Sequence, residues 1–414
     1  MKITKFCRSS IYNKEYRNIY MPFMWHGFFI DLTMAMIEIN TVLPALVSNL
    51  TNNTIAFGAL YSIMLGAPLI FNLLFSNYLR RFVKKKIFLI IGIYMRGISF
   101  FGVAAATLVF GNSNKFIVLI SLYFLLFLFS ISGGFAGIAY SDIVGKLLPS
   151  ERRGKFYATR EFVGGIASLI GGFLVAWIFR PNTLGFPVNY ALSFFIGGMG
   201  LTIGTLGFWR LNEPYSEIDN KIADDKNNLV KNIFNILKGD KRFLRFIITE
   251  NVTSFSLMIL PFYMMFIKNS FMNYMNYIGL FVISKEIGSI MSNLIWAYVS
   301  RKFGSKTVIR LCILVGGSLP ILALLIKTLG PLAYIIIFLF IGVITSGRYV
   351  GFESYILDIA PTEKRMLYLG IRGTLNILVV LLPLAGGLFI NLLGYNLTFG
   401  LVSIFMMLAF YLIK

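Results

Sequence analysis

The sequence is poor in the side chains that most catalytic and metal chemistry needs. Among 414 residues there are one histidine, two cysteines and 17 acidic groups. A single histidine, His26, excludes serine–histidine and most other acyl-transfer constellations. Cys7 and Cys312 lie far apart and form no CxxC, so neither a disulfide framework nor a zinc site is expected. No phosphate-binding loop of the GxxxxGK type occurs, which argues against an ATP-driven pump. No metal and no cofactor is implied, and an enzyme is not expected. Charged residues make up 13% of the chain, about half the share usual in a soluble domain. The opening stretch, MKITKFCRSSIYNKEYRNIY, is too polar for a signal peptide and ends in no small-residue cleavage site. The first apolar segment is therefore expected to stay.

What replaces charge is hydrocarbon. Apolar residues reach 57%, aromatics 16%, and the mean hydropathy is +0.78, a surplus that needs lipid as its solvent. Crossing the hydrocarbon core takes about 20 mainly apolar residues. Twelve such spans can be drawn, at roughly 21–48, 55–78, 87–110, 116–146, 156–179, 186–209, 244–267, 276–299, 307–328, 331–357, 367–391 and 395–413. Each must be a helix, because a lone segment in lipid has to satisfy its backbone internally. Cations crowd the N-terminus (Lys2, Lys5, Arg8, Lys14, Arg17) and then alternate loops: NYLRRFVKKK, SERRGK, the central linker, SRKFGSK and PTEKR. The loops between hold one cation or none. That alternation predicts a cell-membrane protein with both termini and the linker in the cytoplasm. It also accounts for the net charge of +21 without nucleic acid, since the basic residues form no arm or single face.

The chain is also built twice. Tyr140 to Gly172, YSDIVGKLLPSERRGKFYATREFVGGIASLIGG, recurs in blurred form as Glu353 to Gly387. Pro149-Ser150-Glu151-Arg152-Arg153 answers Pro361-Thr362-Glu363-Lys364-Arg365, the prolines 212 residues apart, and Arg160 answers Arg372 at the same spacing. Gly171-Gly172 answers Gly386-Gly387 after a slip of three. Two such halves in a membrane point to a carrier with its site between them. The one long polar insert, 212–241, separates two sets of six spans. It reads as a solvated linker, with an amphipathic helix around Leu229–Leu237 on the inner surface.

This organisation resembles the major facilitator superfamily, over nearly the whole chain. The family's signature after span two ends in Arg-x-Gly-basic-basic. Here Arg81-Phe82-Val83-Lys84-Lys85 keeps the basic end, while Ser76, Arg80 and Val83 stand where the glycine, the aspartate and the second glycine would be. An echo after span eight keeps Lys302-Phe303-Gly304-Ser305-Lys306, with Ala297 and Arg301 in the glycine and aspartate places. Ser168–Gly172 lacks the proline of the family's antiporter motif, whereas Pro383–Gly387 has one; these glycines read as close helix packing. The resemblance implies an all-α integral membrane fold of twelve transmembrane helices, arranged as two pseudo-symmetric six-helix bundles. The expected divisions are a cytoplasmic segment 1–20, a first bundle 21–209, a linker 210–243 and a second bundle 244–414. It also implies secondary active transport of a small solute by alternating access, performed by a monomer among membrane lipids. A non-transporting receptor with the same fold is the alternative, and a membrane-embedded enzyme a more remote one.

An ionisable group near the bilayer centre costs about 2.5–3.5 kcal/mol on insertion scales, so each needs a partner or a job. Folding spans four and five about Pro149 sets Asp142 opposite Arg160, and the echo sets Glu353 opposite Arg372. Both pairs read as cytoplasmic gates or as staples of their hairpins. Asp31 and Glu38, seven residues apart in span one, share nearly the same helix face. Spans one, four, seven and ten line the cavity in the family that the chain resembles. That implication makes Asp31, Glu38, Glu250 and Arg348 candidates for binding solute or protons. Asn40, Tyr140, Asn251 and Ser346 are neutral neighbours, and Lys285 and Glu286 lie in span eight. Glu38 is expected either to load and release a proton or to pair with Lys285 or Arg348 and never titrate. Arg348 could instead hold a carboxylate by its fork. Arg96, ten residues into span three, has no partner legible in the sequence, and His26 is expected at the membrane interface.

Overall fold

Lipid offers a backbone no hydrogen-bond partner, and the apolar runs answer by closing into helices. A computed structural model of the chain describes residues 2–79, 81–148, 150–180, 183–214, 236–361 and 365–413, and every regular element among them is helical. Ten stretches are long and apolar enough to cross a membrane. The last of these, Ile371–Leu412, has 42 residues. At about 1.5 Å per residue it would run about 63 Å, twice the hydrocarbon thickness. It is two spans, because Gly394 takes φ 75° and ψ 174°, a conformation that favours glycine, and breaks the helix there. With the first segment, α1 (Lys2–Met36) and its continuation α2 (Val42–Leu50), the described residues supply twelve.

Contacts sort the chain into two compact units. The first comprises Met1–Ile37, Ala67–Ile178 and Leu184–Asp219. It holds α1, the later part of α3 (Thr54–Leu79), α4 (Lys86–Phe110), α5 (Lys115–Leu147), α6 (Ser150–Ile178) and α7 (Val188–Trp209). In it α1 packs on α6 and α7, and α4 packs on α5 and α7. Aromatic rings fill the interior: Phe23 meets Tyr140 and Phe156 edge-on at 5.3 Å, and Phe100 stacks on Phe129 at 4.3 Å. Bare glycines bring the backbones close. A Cβ on Gly171 would stand 2.7 Å from that of Ala35, so α6 can lie on α1 only without one.

The second unit comprises Glu38–Gly66, Phe179–Thr183 and Asn220–Lys414. Besides α2 and the start of α3 it holds α8 (Lys241–Thr253), α9 (Phe255–Ser270), α10 (Ile278–Phe303), α11 (Ser305–Leu325), α12 (Ile335–Ile359), α13 (Arg365–Leu375) and α14 (Leu382–Leu412). Here α12 packs on α10 and α11, α14 packs on α11 and α9, and α9 packs on α2. Phe281 stacks on Phe338 at 4.6 Å between α10 and α12. Most of the expected helix at Leu229–Leu237, together with Pro149 and Thr362–Lys364 of the two repeated turns, lies outside the described residues. Ile236 and Leu237 pack on a core formed by Phe243, Phe246, Ile309 and Phe352. Large apolar side chains such as Phe116 and Leu294 stand 68% and 79% exposed, which lipid accepts and water would not.

Among the described residues the helices break inside three spans. Span one stops at Met36 and restarts at Val42, span seven breaks at Ser254 between α8 and α9, and span eleven passes through the 3₁₀ turn Asn376–Leu381. Such breaks free backbone groups that side chains must then satisfy.

Candidate functional site

Among the described residues ion pairs gather in four groups, each within one unit. The first sits on the break in span one. Glu38 is only 2% exposed, and its carboxylate accepts from the Asn40 amide at 2.8 Å, Asn40 Nδ2 at 2.7 Å and Thr41 Oγ1 at 3.0 Å. The break before α2 is thereby tied together, and the Leu43 amide of α2 itself donates to the backbone carbonyl of Glu38 at 3.2 Å. Lys285 Nζ reaches the same carboxylate at 3.1 Å and Glu286 Oε1 at 2.8 Å. Tyr61 donates its hydroxyl to Asn40 Oδ1. Two carboxylates thus share one ammonium.

The second group surrounds Arg372 on α13. Its Nε and Nη2 donate to Glu250 of α8 at 2.9 and 2.6 Å, a two-pronged grip, and its Nη1 reaches Glu353 of α12 at 2.8 Å. Nearby, Arg348 Nη2 donates to Ser254 Oγ at 3.0 Å, on the break in span seven, and the guanidinium lies 5.1 Å over the Phe352 ring. Asn251 Nδ2 donates to Asn376 Oδ1 at 3.2 Å. Ser346 donates to Asn293 Oδ1 at 2.5 Å.

In the first unit Arg160 of α6 lies 3.5 Å from Asp31 of α1 and also pairs with Glu161. This pair is seated over missing side chains, since a Cβ on Gly164 would run into Asp31 and one on Gly27 into Arg160. Gly164→Ala should therefore displace Asp31 and destabilise the protein by about 1–3 kcal/mol, the usual cost of overpacking. Gly137→Ala, at a position with open space within 4 Å, should leave the melting temperature unchanged or slightly raised. Thermal melts of the purified protein in detergent check both.

The fourth group lies at the opposite end of α4 and α5 from the loop that joins them. Asp142 binds Lys85 at 2.6 Å and Lys146 at 2.7 Å, and Lys146 binds Glu213 at 2.8 Å. Glu213 also accepts from the backbone amides of Lys85 and Lys86 at 2.8 and 2.7 Å, so it closes the start of α4.

Two expectations are corrected here. Asp142 does not face Arg160. Counted from Pro149, Arg160 lies one helical turn, about 6 Å, further along than Asp142, and Lys146, one turn along on α5 itself, takes Asp142 instead. Glu353 and Arg372 do meet, but the stronger grip of Arg372 is on Glu250. In both halves of the repeat, then, the arginine of the fifth span reaches an acid on the first span of that half: Asp31 in one, Glu250 in the other. His26, expected at the membrane interface, is 7% exposed, its ring 4.9 Å from that of Phe208. Of the two partners weighed for Glu38, Lys285 is the one in reach. Tyr140 packs on Phe23, and its hydroxyl has no hydrogen-bond partner among the described residues. Tyr61, Lys146 and Glu213 were not picked out in the sequence. Glu213 stood in a polar linker, where nothing marks one acid from its neighbours. Among the described residues no cluster of histidine, cysteine and acidic side chains could hold a metal.

A family model described as Major Facilitator Superfamily matches residues 24–284 and 246–414. No curated protein matches the sequence. Among solved structures, a mutant form of the nucleoside transporter NupG is similar over 95% of this chain and 98% of its own, with a TM-score of 0.73 at 12% identity. A POT family transporter in complex with 5-aminolevulinic acid is similar over 95% of this chain and 94% of its own, with a TM-score of 0.73 at 12% identity. The inward open xylose transporter XylE from E. coli covers 94% of this chain and 95% of its own, with a TM-score of 0.63 at 15% identity. At these identities the likeness is one of fold.

Proposed function

The chain belongs to the major facilitator superfamily, and from that premise we propose a proton-coupled carrier that moves one small solute by alternating access. It is a multi-pass membrane transporter and not an enzyme. The two sets of six spans, 21–209 and 244–414, are the halves that alternate. The carrier works as a monomer in the cell membrane, surrounded by lipid, with both termini in the cytoplasm, as the loop charges indicate. Arg160 and Arg372, with the carboxylates of their own units, gate the cytoplasmic side.

The observation that carries the coupling is the pair of carboxylates on one ammonium at the break in span one. While Glu38 is ionised, Asn40, Thr41 and Lys285 all donate to it. When Glu38 takes a proton, Lys285 keeps Glu286 as a counter-ion. A proton can thus be loaded at depth without stranding a charge, which is what makes the site usable. Solved structures of similar fold include nucleoside, peptide and xylose transporters, in keeping with a small polar solute.

The test is uptake into proteoliposomes, with a solute first identified by thermal shift among sugars, nucleosides, peptides and organic acids. An imposed pH gradient should drive accumulation in the wild type. In Glu38→Gln accumulation should fall at least tenfold while exchange at equal pH persists. Equal gradient-driven accumulation in both would remove Glu38 from the coupling. Binding with no flux in either would favour a receptor.

A further inference from the structure

Among the described residues two buried arginines, Arg96 and Arg348, lie outside the ion pairs, and Arg348 has a hydrogen bond to Ser254 Oγ where Arg96 has none. Arg96 lies on α4, ten residues beyond Lys86, hence about 15 Å along a helix that crosses about 30 Å of hydrocarbon. That is mid-depth, beyond the reach of lipid headgroups. No ion pair and no hydrogen bond holds it among the described residues, and its buried Nε is without an acceptor. Its contact is a ring: the guanidinium carbon stands 4.2 Å from the centroid of Phe129. An arginine over an aromatic face is held in place but not neutralised. The ion-paired cations contrast with it. Arg160 has Asp31, Lys146 has Asp142 and Glu213, Lys285 has Glu38 and Glu286, and Arg372 has Glu250 and Glu353.

The surroundings of Arg96 are also unfinished. It faces α5 where that helix carries Gly133, its Nε 3.4 Å from the point at which a Cβ would stand. Next to it, Gly134 faces Asn72, whose Oδ1 has no partner, and one turn on Gly137 has nothing within 4 Å. His26 Nδ1 and the Tyr140 hydroxyl are likewise buried without partners, their rings 6.4 Å apart. Both belong to the same unit, His26 on α1 and Tyr140 on α5. The carboxylate within this set, Asp31, is already engaged by Arg160. The first unit therefore holds a cation without a counter-ion, unused hydrogen-bonding groups and open space at Gly137.

We infer that Arg96 anchors an anionic group, a carboxylate or a phosphate, on the transported solute. This rests on the reading of the protein as a carrier and names the class of solute it takes. A guanidinium fork matches either group with two parallel hydrogen bonds. Leaving a charge unpaired in the empty protein is a cost to stability that a binding residue bears and a structural residue has no reason to.

The experiment is thermal shift on the purified full chain at matched ionic strength. The probes are sodium acetate, succinate and phosphate, with glucose, uridine and choline chloride as neutral and cationic controls. The expected result is a rise in melting temperature with at least one of the three anions and with none of the controls. The apparent affinity should be at least tenfold weaker in Arg96→Gln and partly restored in Arg96→Lys. Without ligand, Arg96→Gln should melt no lower than wild type. The inference is overturned if no anion shifts the wild type, if Arg96→Gln responds like the wild type, or if unliganded Arg96→Gln melts several degrees lower. Proteoliposome flux separates the two readings. Uptake of a neutral solute alone keeps the carrier and ends the anion site; Arg96-dependent anion binding without flux of any solute does the reverse.

Discussion

Arg372→Ala should cost the protein about 3–5 kcal/mol and abolish uptake. The magnitude follows from what is left behind. Glu250, its side chain 7% exposed, would keep a charge with no partner, and stranding one member of a buried pair is far more damaging than removing both. The double replacement Arg372→Met with Glu250→Leu should therefore be more stable than Arg372→Ala alone, although it too should not transport. Arg372→Lys should fall between, because an ammonium cannot reproduce the two-pronged grip on Glu250 together with the third bond to Glu353. A double-mutant cycle read by thermal melting measures the coupling. Equal destabilisation by the single and the double replacement would show that the pair adds nothing beyond packing.

The second large effect is expected at Glu213, where Glu213→Ala should destabilise by about 3 kcal/mol. This carboxylate, 1% exposed, does two jobs at once: it pairs with Lys146 and it accepts from two backbone amides at the start of α4. Losing it uncaps a helix and strips Lys146 of one of two counter-ions. Glu213→Gln should recover part of the loss, since an amide oxygen can still accept from the backbone. Hydrogen exchange should quicken at Lys85 and Lys86 in Glu213→Ala and spread into the first turn of α4. Unchanged protection there would mean that the cap contributes little.

The sequence carried the architecture well and the site unevenly. Helicity, the number of spans and the doubling follow from apolar run length and from residue types at fixed spacing, both linear properties of the chain. Even the turn at Gly394 is visible as a lone glycine between two apolar runs. The two repeated arginines were legible for the same reason. Their partners were not. Counting along a hairpin fixes depth only to about one turn, and a turn is enough to pass Arg160 from Asp142 to Asp31. Glu353 and Arg372 lie closer to level about Pro361, and that pairing survived the count. The break at Ile37–Thr41 had no glycine to announce it; the acid and amide at Glu38 and Asn40 supply the acceptors and donors that a continuous helix would have supplied itself. The linker concealed the most from a linear reading. Glu213 is drawn into the first unit, and Asp240 caps α8 while accepting from Tyr368 in the second, so its two ends are structural although its composition reads as solvent-exposed.

The arrangement around Glu38 has a mechanical consequence. Four donors converge on its two oxygens: one backbone amide, the Asn40 amide group, the Thr41 hydroxyl and the Lys285 ammonium. On the proposed coupling, a proton arriving there would turn one acceptor into a fifth donor, and at least one of the four would withdraw. Three of them belong to Asn40 and Thr41, within the break itself. Chemistry and shape are therefore tied together at this point: displacing the carboxylate releases the donors that hold the interrupted turn.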